Sequence, residues 1–154
     1  IEMPSLMNQV YDDAQAYNID YGHTLNLEID SHCDLIGSDM ELASAFSNLI
    51  TNAIKYTPKG GTITIGWHDD GENGYFSVQD TGIGIDPKHL PRLTERFYRV
   101  DSARSRQTGG TGLGLAIVKH VLMQHGAHIE VDSKENQGST FIAVFPKERL
   151  YRMH

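Results

Sequence analysis

The sequence has 154 residues, a formal net charge of −7 and 39% apolar residues, which is enough for one globular domain with a hydrophobic core. The acidic balance disfavours a nucleic-acid partner, because such partners require a basic face. The single cysteine, Cys33, excludes an internal disulfide, and no apolar run approaches the ~20 residues that span a bilayer. The chain begins at Ile1 without a methionine, so we expect a fragment of a longer protein.

The first third of the chain predicts two helices and two strands. Residues 4–17 are predicted to be helical because apolar residues recur there on one face (Leu6, Val10, Ala14, Tyr17). Residues 24–29 alternate between apolar and polar, as a half-buried strand does, and residues 34–37 predict a second short strand. Ser38 is placed to cap a helix that runs to about Tyr56.

This second helix carries a polar stripe beside its apolar face. Asn48, Asn52 and Lys55 are spaced so that they lie on one side of the helix. Asparagine is a mediocre helix former, so two of them in one stripe indicate a function. A solvated surface is the alternative interpretation.

The next segment predicts a hairpin that ends in an acidic residue. Residues 62–67 and 75–80 read as strands, and the acidic residues between them read as a solvated turn, since they lack the spacing of a calcium loop. Asp80 is followed by Gly82 and Gly84, which places a carboxylate beside bare backbone. Such a carboxylate can accept hydrogen bonds from an exocyclic amine. A tight turn is the alternative.

The last third of the chain predicts a short helix, a basic loop, a long helix and two strands. The short helix covers residues 87–96, and the loop after it contains Arg99, Arg104 and Arg106. Glycines at 109, 110, 112 and 114 lead directly into the long helix of residues 113–125. Glycines that end where a helix begins are typical of a phosphate site. Strands follow at 127–132 and 139–145, and residues 147–154 read as a frayed tail.

Three of these segments resemble the conserved boxes of one ATPase superfamily. Residues 48–56 resemble its N box, residues 80–84 its first glycine box and residues 110–115 its second. The superfamily contains sensor histidine kinases, DNA gyrase, the Hsp90 chaperones and the MutL repair proteins. Residues 55–56 and 95–101 are similar to those of the bacterial two-component sensor kinases.

The region around residues 91–110 is similar to the phosphate-regulon sensor kinases of enteric-type bacteria. One position departs from the family pattern. The F box usually carries two aromatic residues three positions apart, and here Thr94 precedes Phe97. This departure bears on how the lid over the nucleotide docks.

The resemblance implies a two-layer α/β sandwich. Its sheet would be mixed and mostly antiparallel, with about three helices on one face. We expect residues 1–154 to form a single ATP-binding domain, with a lead-in helix at 1–18, a mobile ATP lid at 97–112 and the tail at 147–154.

The resemblance also implies a role for each residue of the site. Asp80 would recognise the adenine amino group, and the base pocket would be shaped by Gly82, Gly84 and Ile85. Asn52 would hold Mg²⁺ with support from Asn48. The remaining contacts to ATP, mostly to its phosphates, would come from Lys55, Tyr56, Arg99, Gly110, Thr111, Gly112, Leu113, Gly114 and Leu115. Arg99, Asn52 and Lys55 would be the catalytic residues.

The family's phospho-acceptor histidine is followed directly by an acidic residue on a separate helical hairpin. Among the eight histidines here, only His68 has an acidic residue directly after it, Asp69, and this pair lies at the end of a predicted strand instead of on a helix. The resemblance therefore implies a histidine kinase catalytic domain that binds Mg-ATP and phosphorylates a histidine on a dimerisation domain outside this chain. The further partner would be a response regulator. We expect a soluble, monomeric, cytoplasmic domain from a homodimeric parent protein anchored in the inner membrane.

Two alternatives remain open at this stage. The chain could be a non-catalytic module that senses adenine nucleotides, although Asn52 and Arg99 disfavour this. It could also belong to a different branch of the superfamily, such as a serine kinase or a gyrase-like ATPase. A gyrase-like ATPase requires a general-base glutamate on the N-box helix, where this chain has Ser47, Asn48 and Asn52.

Overall fold

A computed structural model describes residues 1–58, 60–81, 113–134 and 138–152. The helices in this part of the chain are α1 (Met3–Tyr17), α2 (Asp39–Tyr56) and α3 (Leu113–Gln124). The strands are β1 (Thr24–Ile29), β2 (Cys33–Leu35), β3 (Thr62–Asp69), β4 (Gly74–Asp80), β5 (His128–Lys134), β6 (Gly138–Phe145) and β7 (Leu150–Arg152). Short 3₁₀ helices cover Asn18–Asp20 and Lys147–Arg149.

The main sheet has five strands in the order β1-β3-β4-β6-β5. Strands β1 and β3 are parallel, and every other neighbouring pair in this sheet is antiparallel. The crossover between the parallel strands contains α2, as a parallel pair requires. The expected mixed, mostly antiparallel sheet is confirmed.

The hydrophobic core lies between one face of this sheet and the helices. Phe46 of α2 stacks on Phe76 of β4 with ring centroids 3.9 Å apart, and Phe145 of β6 meets Phe46 edge-on. All three side chains are almost fully buried. Burial of such a side chain contributes about 1.5 to 3 kcal/mol, so the aromatic cluster fixes α2 against the centre of the sheet.

Helix α2 begins directly after Ser38, as the sequence predicts. The Ser38 hydroxyl accepts a hydrogen bond from the Glu41 N–H at 3.3 Å, and acidic residues occupy the first turn. The helix ends at Tyr56, where Thr57 turns to an extended conformation. The predicted polar stripe, from Asn48 to Lys55, therefore lies in the C-terminal half of the helix.

The acidic turn between β3 and β4 is held by its own carboxylate. Asp70 accepts hydrogen bonds from the Tyr75 hydroxyl at 2.6 Å and from the backbone N–H groups of Glu72 and Asn73. These bonds, led by the Tyr75 hydroxyl, lower the pKa of Asp70 to about 2. No group of three or more potential metal-ligating side chains occurs in the described residues.

The prediction of a frayed tail is wrong for residues 147–152. Strand β7 pairs antiparallel with β2 and forms a second, two-stranded sheet. The pairing brings Leu35 opposite Leu150, and Leu35 is buried. The sequence signal was weak because three residues are too few for a periodic pattern. The expected short strand at 34–37 exists, shifted to Cys33–Leu35.

The remaining predicted elements are partly confirmed. Helix α3 and strands β5 and β6 agree with their predictions to within about two residues. Helix α3 ends at Gln124, two residues before Gly126, whose φ is +69°. The predicted helix at 87–96 and the lid at 97–112 lie outside the described residues. None of the helices that the structure describes meets the length and hydropathy that crossing a bilayer requires.

Candidate functional site

The polar stripe of α2 lies on the half-exposed side of a helix whose other side is buried. Asn48, Asn52, Lys55 and Tyr56 are all half-exposed. The Asn48 amide nitrogen donates to the Ser44 carbonyl at 2.9 Å, which leaves its amide oxygen as the atom that can face a cation. Within the described residues, the side chains of Asn52 and Lys55 make no hydrogen bond or ion pair. They are therefore available to a ligand.

Asp80 lies at the end of β4 on the face of the sheet that carries the core. It is directly opposite Ile63 on one side and Ser139 on the other, and it is buried. The Ser139 N–H donates to the Asp80 carboxylate at 3.2 Å. Hydrogen-bond donors of this kind stabilise a buried carboxylate, which is also a strong acceptor for an N–H group of a ligand.

Gly138 brings the backbone at the start of β6 close to Asp80. The sequence indicated only a turn at this position. Its φ is +106°, and a Cβ atom there would lie 2.2 Å from the Asp80 carbonyl oxygen. No side chain fits in that space. A sequence signal for this contact does exist. Gly138 is the glycine at the start of the strand that pairs with the end of β4.

Gly61 joins the end of α2 to the end of β4. A Cβ atom at Gly61 would lie 2.2 Å from the Thr57 methyl group and 3.0 Å from the Thr81 hydroxyl. Thr57 follows Tyr56 directly, and Thr81 follows Asp80. The Thr81 hydroxyl also accepts a hydrogen bond from the Thr62 N–H at 3.0 Å. These contacts bring together two segments that are 24 residues apart in sequence.

Helix α3 supplies the third part of the candidate site. It begins at Leu113, directly after Gly112 of the second box, and packs along α2. The backbone N–H groups of a helix's first turn have no partner within the helix and carry the positive end of the dipole, so they bind anions. Leu115 is half-buried and packs against the core.

Several predicted site residues lie outside the described residues, and their roles stay predictions. These are Gly82, Gly84, Ile85, Arg99, Gly110, Thr111 and Gly112, together with Thr94 and Phe97 of the F box. Of Leu113 and Gly114, only the helical backbone is described.

The described arrangement suits a ligand with two chemically different ends. Asp80 offers an acceptor for hydrogen-bond donors at the end of β4, while Lys55 and the first turn of α3 offer positive charge for anions. Amide oxygens on α2, with no carboxylate in the stripe, suit Mg²⁺ that also binds phosphates and water. Asn48 and Asn52 therefore fit a shared magnesium ion by their chemistry.

Comparisons with known proteins agree with this geometry. Residues 37–149 match the family described as histidine kinase-, DNA gyrase B-, and HSP90-like ATPase. The chain is 54% identical to the phosphate regulon sensor protein PhoR of Pseudomonas aeruginosa over 94% of its own length and 33% of that protein. It is 44% identical to PhoR of Haemophilus influenzae over 95% of its length and 34% of that protein.

The chain thus spans about a third of the length of these curated relatives. Among solved structures, the mycobacterial sensor histidine kinase MprB matches 99% of both chains with a TM-score of 0.86 and 28% identity.

Proposed function

Because this chain belongs to the family of histidine kinase-, DNA gyrase B-, and HSP90-like ATPases and has the fold of a histidine kinase catalytic domain, we propose that it binds Mg-ATP between α2, α3 and the end of β4. It presents the γ-phosphate to a histidine on a separate domain. The observation that carries this proposal is the buried carboxylate of Asp80, which lies on the core face of the sheet at the point where the ends of β4 and α2 meet.

The adenine base binds at the end of β4 in this proposal. Asp80 accepts a hydrogen bond from the exocyclic amine, and Gly82, Gly84 and Ile85 shape the pocket. Gly138 and Gly61 keep side chains out of the space around Asp80 and Thr81. Tyr56 flanks the nucleotide at the end of α2.

The phosphates lie between the stripe of α2 and the first turn of α3. Asn52, supported by Asn48, holds Mg²⁺, which when bound neutralises charge on the phosphates and helps to orient them. Lys55 and Arg99 neutralise the charge that spreads over the transferring phosphoryl group. The backbone at Gly110–Leu115 donates to the phosphate tail.

The chain's own residues favour a kinase over a hydrolytic branch of the family. After Glu41, helix α2 contains no carboxylate, so it provides no general base to activate a water molecule. Transfer to an acceptor histidine needs no such base on α2, since positioning and charge neutralisation supply most of the catalysis.

The biological setting follows from the relatives. Two of them are named phosphate regulon sensor proteins, and we infer that the parent protein acts in two-component signalling linked to phosphate. Its partners are then its own dimerisation domain, which carries the acceptor histidine, and a response regulator. The parent is a homodimer anchored in the inner membrane, with this domain on the cytoplasmic side.

Calorimetric titration tests the nucleotide site. Wild type should bind ADP and a non-hydrolysable ATP analogue, and Mg²⁺ should strengthen the second more than the first. Asp80→Asn should weaken ADP binding about tenfold to a hundredfold, since a hydrogen bond to a charged group is lost. Asp132→Asn, an exposed change on β5, is the matched control. A folded wild type that binds neither nucleotide would exclude the proposal.

Phosphotransfer tests the reaction itself. The chain should transfer phosphate from ATP to a separately produced acceptor domain of the parent protein, and Asn52→Asp and Arg99→Ala should abolish the transfer. Nucleotide binding without transfer to a folded acceptor would favour the sensing module instead.

A further inference from the structure

His23 is a buried histidine that no part of the proposed reaction uses. It lies just before β1, with 6% of its surface exposed. Its main chain is fixed by Asn18, whose side chain accepts from the His23 N–H at 3.0 Å and donates to the His23 carbonyl at 2.6 Å. A buried polar ring held this firmly is expected to have partners on both nitrogens.

Both ring nitrogens do bond, and they bond to two different segments. Nε2 lies 2.9 Å from the Ile54 carbonyl oxygen in the last turn of α2, and Nδ1 lies 3.2 Å from the Gly61 nitrogen just before β3. A carbonyl can only accept and an N–H can only donate. This arrangement requires the tautomer that carries its proton on Nε2.

The bond to Ile54 fixes the end of α2. The last four carbonyls of a helix lack partners within it. Here the Thr57 N–H donates to the Ala53 carbonyl, and the His23 ring bonds to the next carbonyl, that of Ile54. Ile54 directly precedes Lys55 and Tyr56, so the ring restrains the turn of α2 from which both side chains project.

The bond to Gly61 fixes the segment that reaches Asp80. The Gly61 N–H is shared between the His23 ring and the Pro58 carbonyl, which lies 3.1 Å away. The Gly61 carbonyl accepts from the Thr24 N–H at 2.9 Å, so His23 and its neighbour each bond to one of the two peptide groups that meet at Gly61. Gly61 in turn packs against Thr81, the residue after Asp80. One imidazole ring thus joins the end of α2 to the end of β4.

We propose that His23 is a positioning residue for the nucleotide site, which sets Lys55 and Tyr56 relative to Asp80 by joining Ile54 to Gly61. This proposal rests on the function proposed above. His23 touches no nucleotide, and it acts through the backbone of the two segments that do.

The test compares His23→Leu, which removes both bonds, with His23→Gln, which retains one donor and one acceptor. Tyr11→Phe is the matched control, because it removes a hydrogen bond of 2.9 Å from α1 to the Leu25 carbonyl of β1 without touching α2 or Gly61. Each variant is first checked for folding by circular dichroism. ADP affinity and amide hydrogen exchange in the nucleotide-free chain are then measured.

His23→Leu should weaken ADP binding about fivefold to tenfold and accelerate exchange at Gly61 and Thr57. His23→Gln should recover part of both effects, and Tyr11→Phe should leave ADP affinity within about twofold of wild type. Wild-type affinity in His23→Leu, or an equal loss in Tyr11→Phe, would overturn the proposal.

The two proposals fail in different ways. If the wild-type chain binds no nucleotide, the proposed function has failed. Unchanged exchange at Gly61 and Thr57 in His23→Leu would show separately that the ring does not hold these segments. If His23→Leu does not fold, His23→Phe is measured in its place, because it keeps a planar ring and removes both bonds. Loss of affinity or faster exchange in His23→Phe relative to Tyr11→Phe supports the role, and wild-type values of both refute it.

Discussion

At the residue scale, Gly138 determines how closely β6 can approach Asp80. Its positive φ is a conformation that L side chains rarely adopt, and the Asp80 carbonyl occupies the place of a Cβ atom. Any larger residue therefore meets two separate costs. One is backbone strain, and the other is displacement of the strand end that carries the carboxylate.

Gly138→Ala should lower the free energy of unfolding by about 3 kcal/mol or more and should also weaken ADP binding. Gly71→Ala is the matched control, because its φ of +88° is similar but no atom lies within 4 Å of the added Cβ. That variant should lose only about 1 to 2 kcal/mol. Urea denaturation gives both values, and equal losses would show that the Asp80 contact contributes nothing.

At the scale of elements, the opposite end of α2 is also held by a buried histidine. His125, just after α3, donates from Nδ1 to the Val121 carbonyl at 2.8 Å and accepts the Ser38 N–H on Nε2 at 3.1 Å. Ser38 is the cap of α2, so the ring joins the end of α3 to the start of α2. Since these helices carry the two groups proposed to bind the phosphates, their relative position depends in part on this junction.

Gly37 makes the junction possible, because a Cβ atom there would lie 2.4 Å from the His125 ring. Gly37→Ala should therefore destabilise the fold by about 1 to 3 kcal/mol. In a His125→Ala background the same change should cost almost nothing, since the ring has gone. A double-mutant cycle by urea denaturation measures this coupling, which should exceed about 1 kcal/mol. If the losses in the free energy of unfolding of the two single variants simply add in the double variant, Gly37 and the His125 ring are not in contact.

The sequence predicted those elements whose signals are local. Helix α2 has a cap, an apolar face and a stop within 20 consecutive residues, and strand β4 has a clear alternation. The resemblance to known boxes predicted a site at Asp80 and the stripe of α2. Strand β7, the contacts of Gly61 and the bonds of His23 and His125 were missed because each depends on residues far apart in the chain.

At the scale of the whole molecule, the small β2–β7 sheet closes one edge of the core. Ile1 exchanges hydrogen bonds with Leu35 of β2, and the Met3 N–H donates to the Asp34 carboxylate at 2.9 Å. Strand β2 is thereby held between the start of α1 and β7. The thiol of Cys33 is buried in this arrangement, with 2% of the residue exposed.

Deletion of residues 147–154 should expose Cys33 to solvent. Without β7, strand β2 loses one of its neighbours and opens more often, so the thiol should react with Ellman's reagent at least about tenfold faster. Deletion of residues 153–154 alone keeps all of β7 and is the matched control. Equal reaction rates in the two shortened chains would show that β7 does not protect the thiol.

Trp67 of β3 is the only tryptophan in the sequence, its side chain is fully buried, and its indole N–H donates to the Cys33 carbonyl at 3.0 Å. The tryptophan fluorescence of the chain therefore comes from one indole in contact with the small sheet. A red shift in emission, or quenching by acrylamide, would report separation of β2 from β3 without any added label. Together with the far-ultraviolet signal of the helices, this one residue would distinguish a local opening at that edge from unfolding of the whole domain.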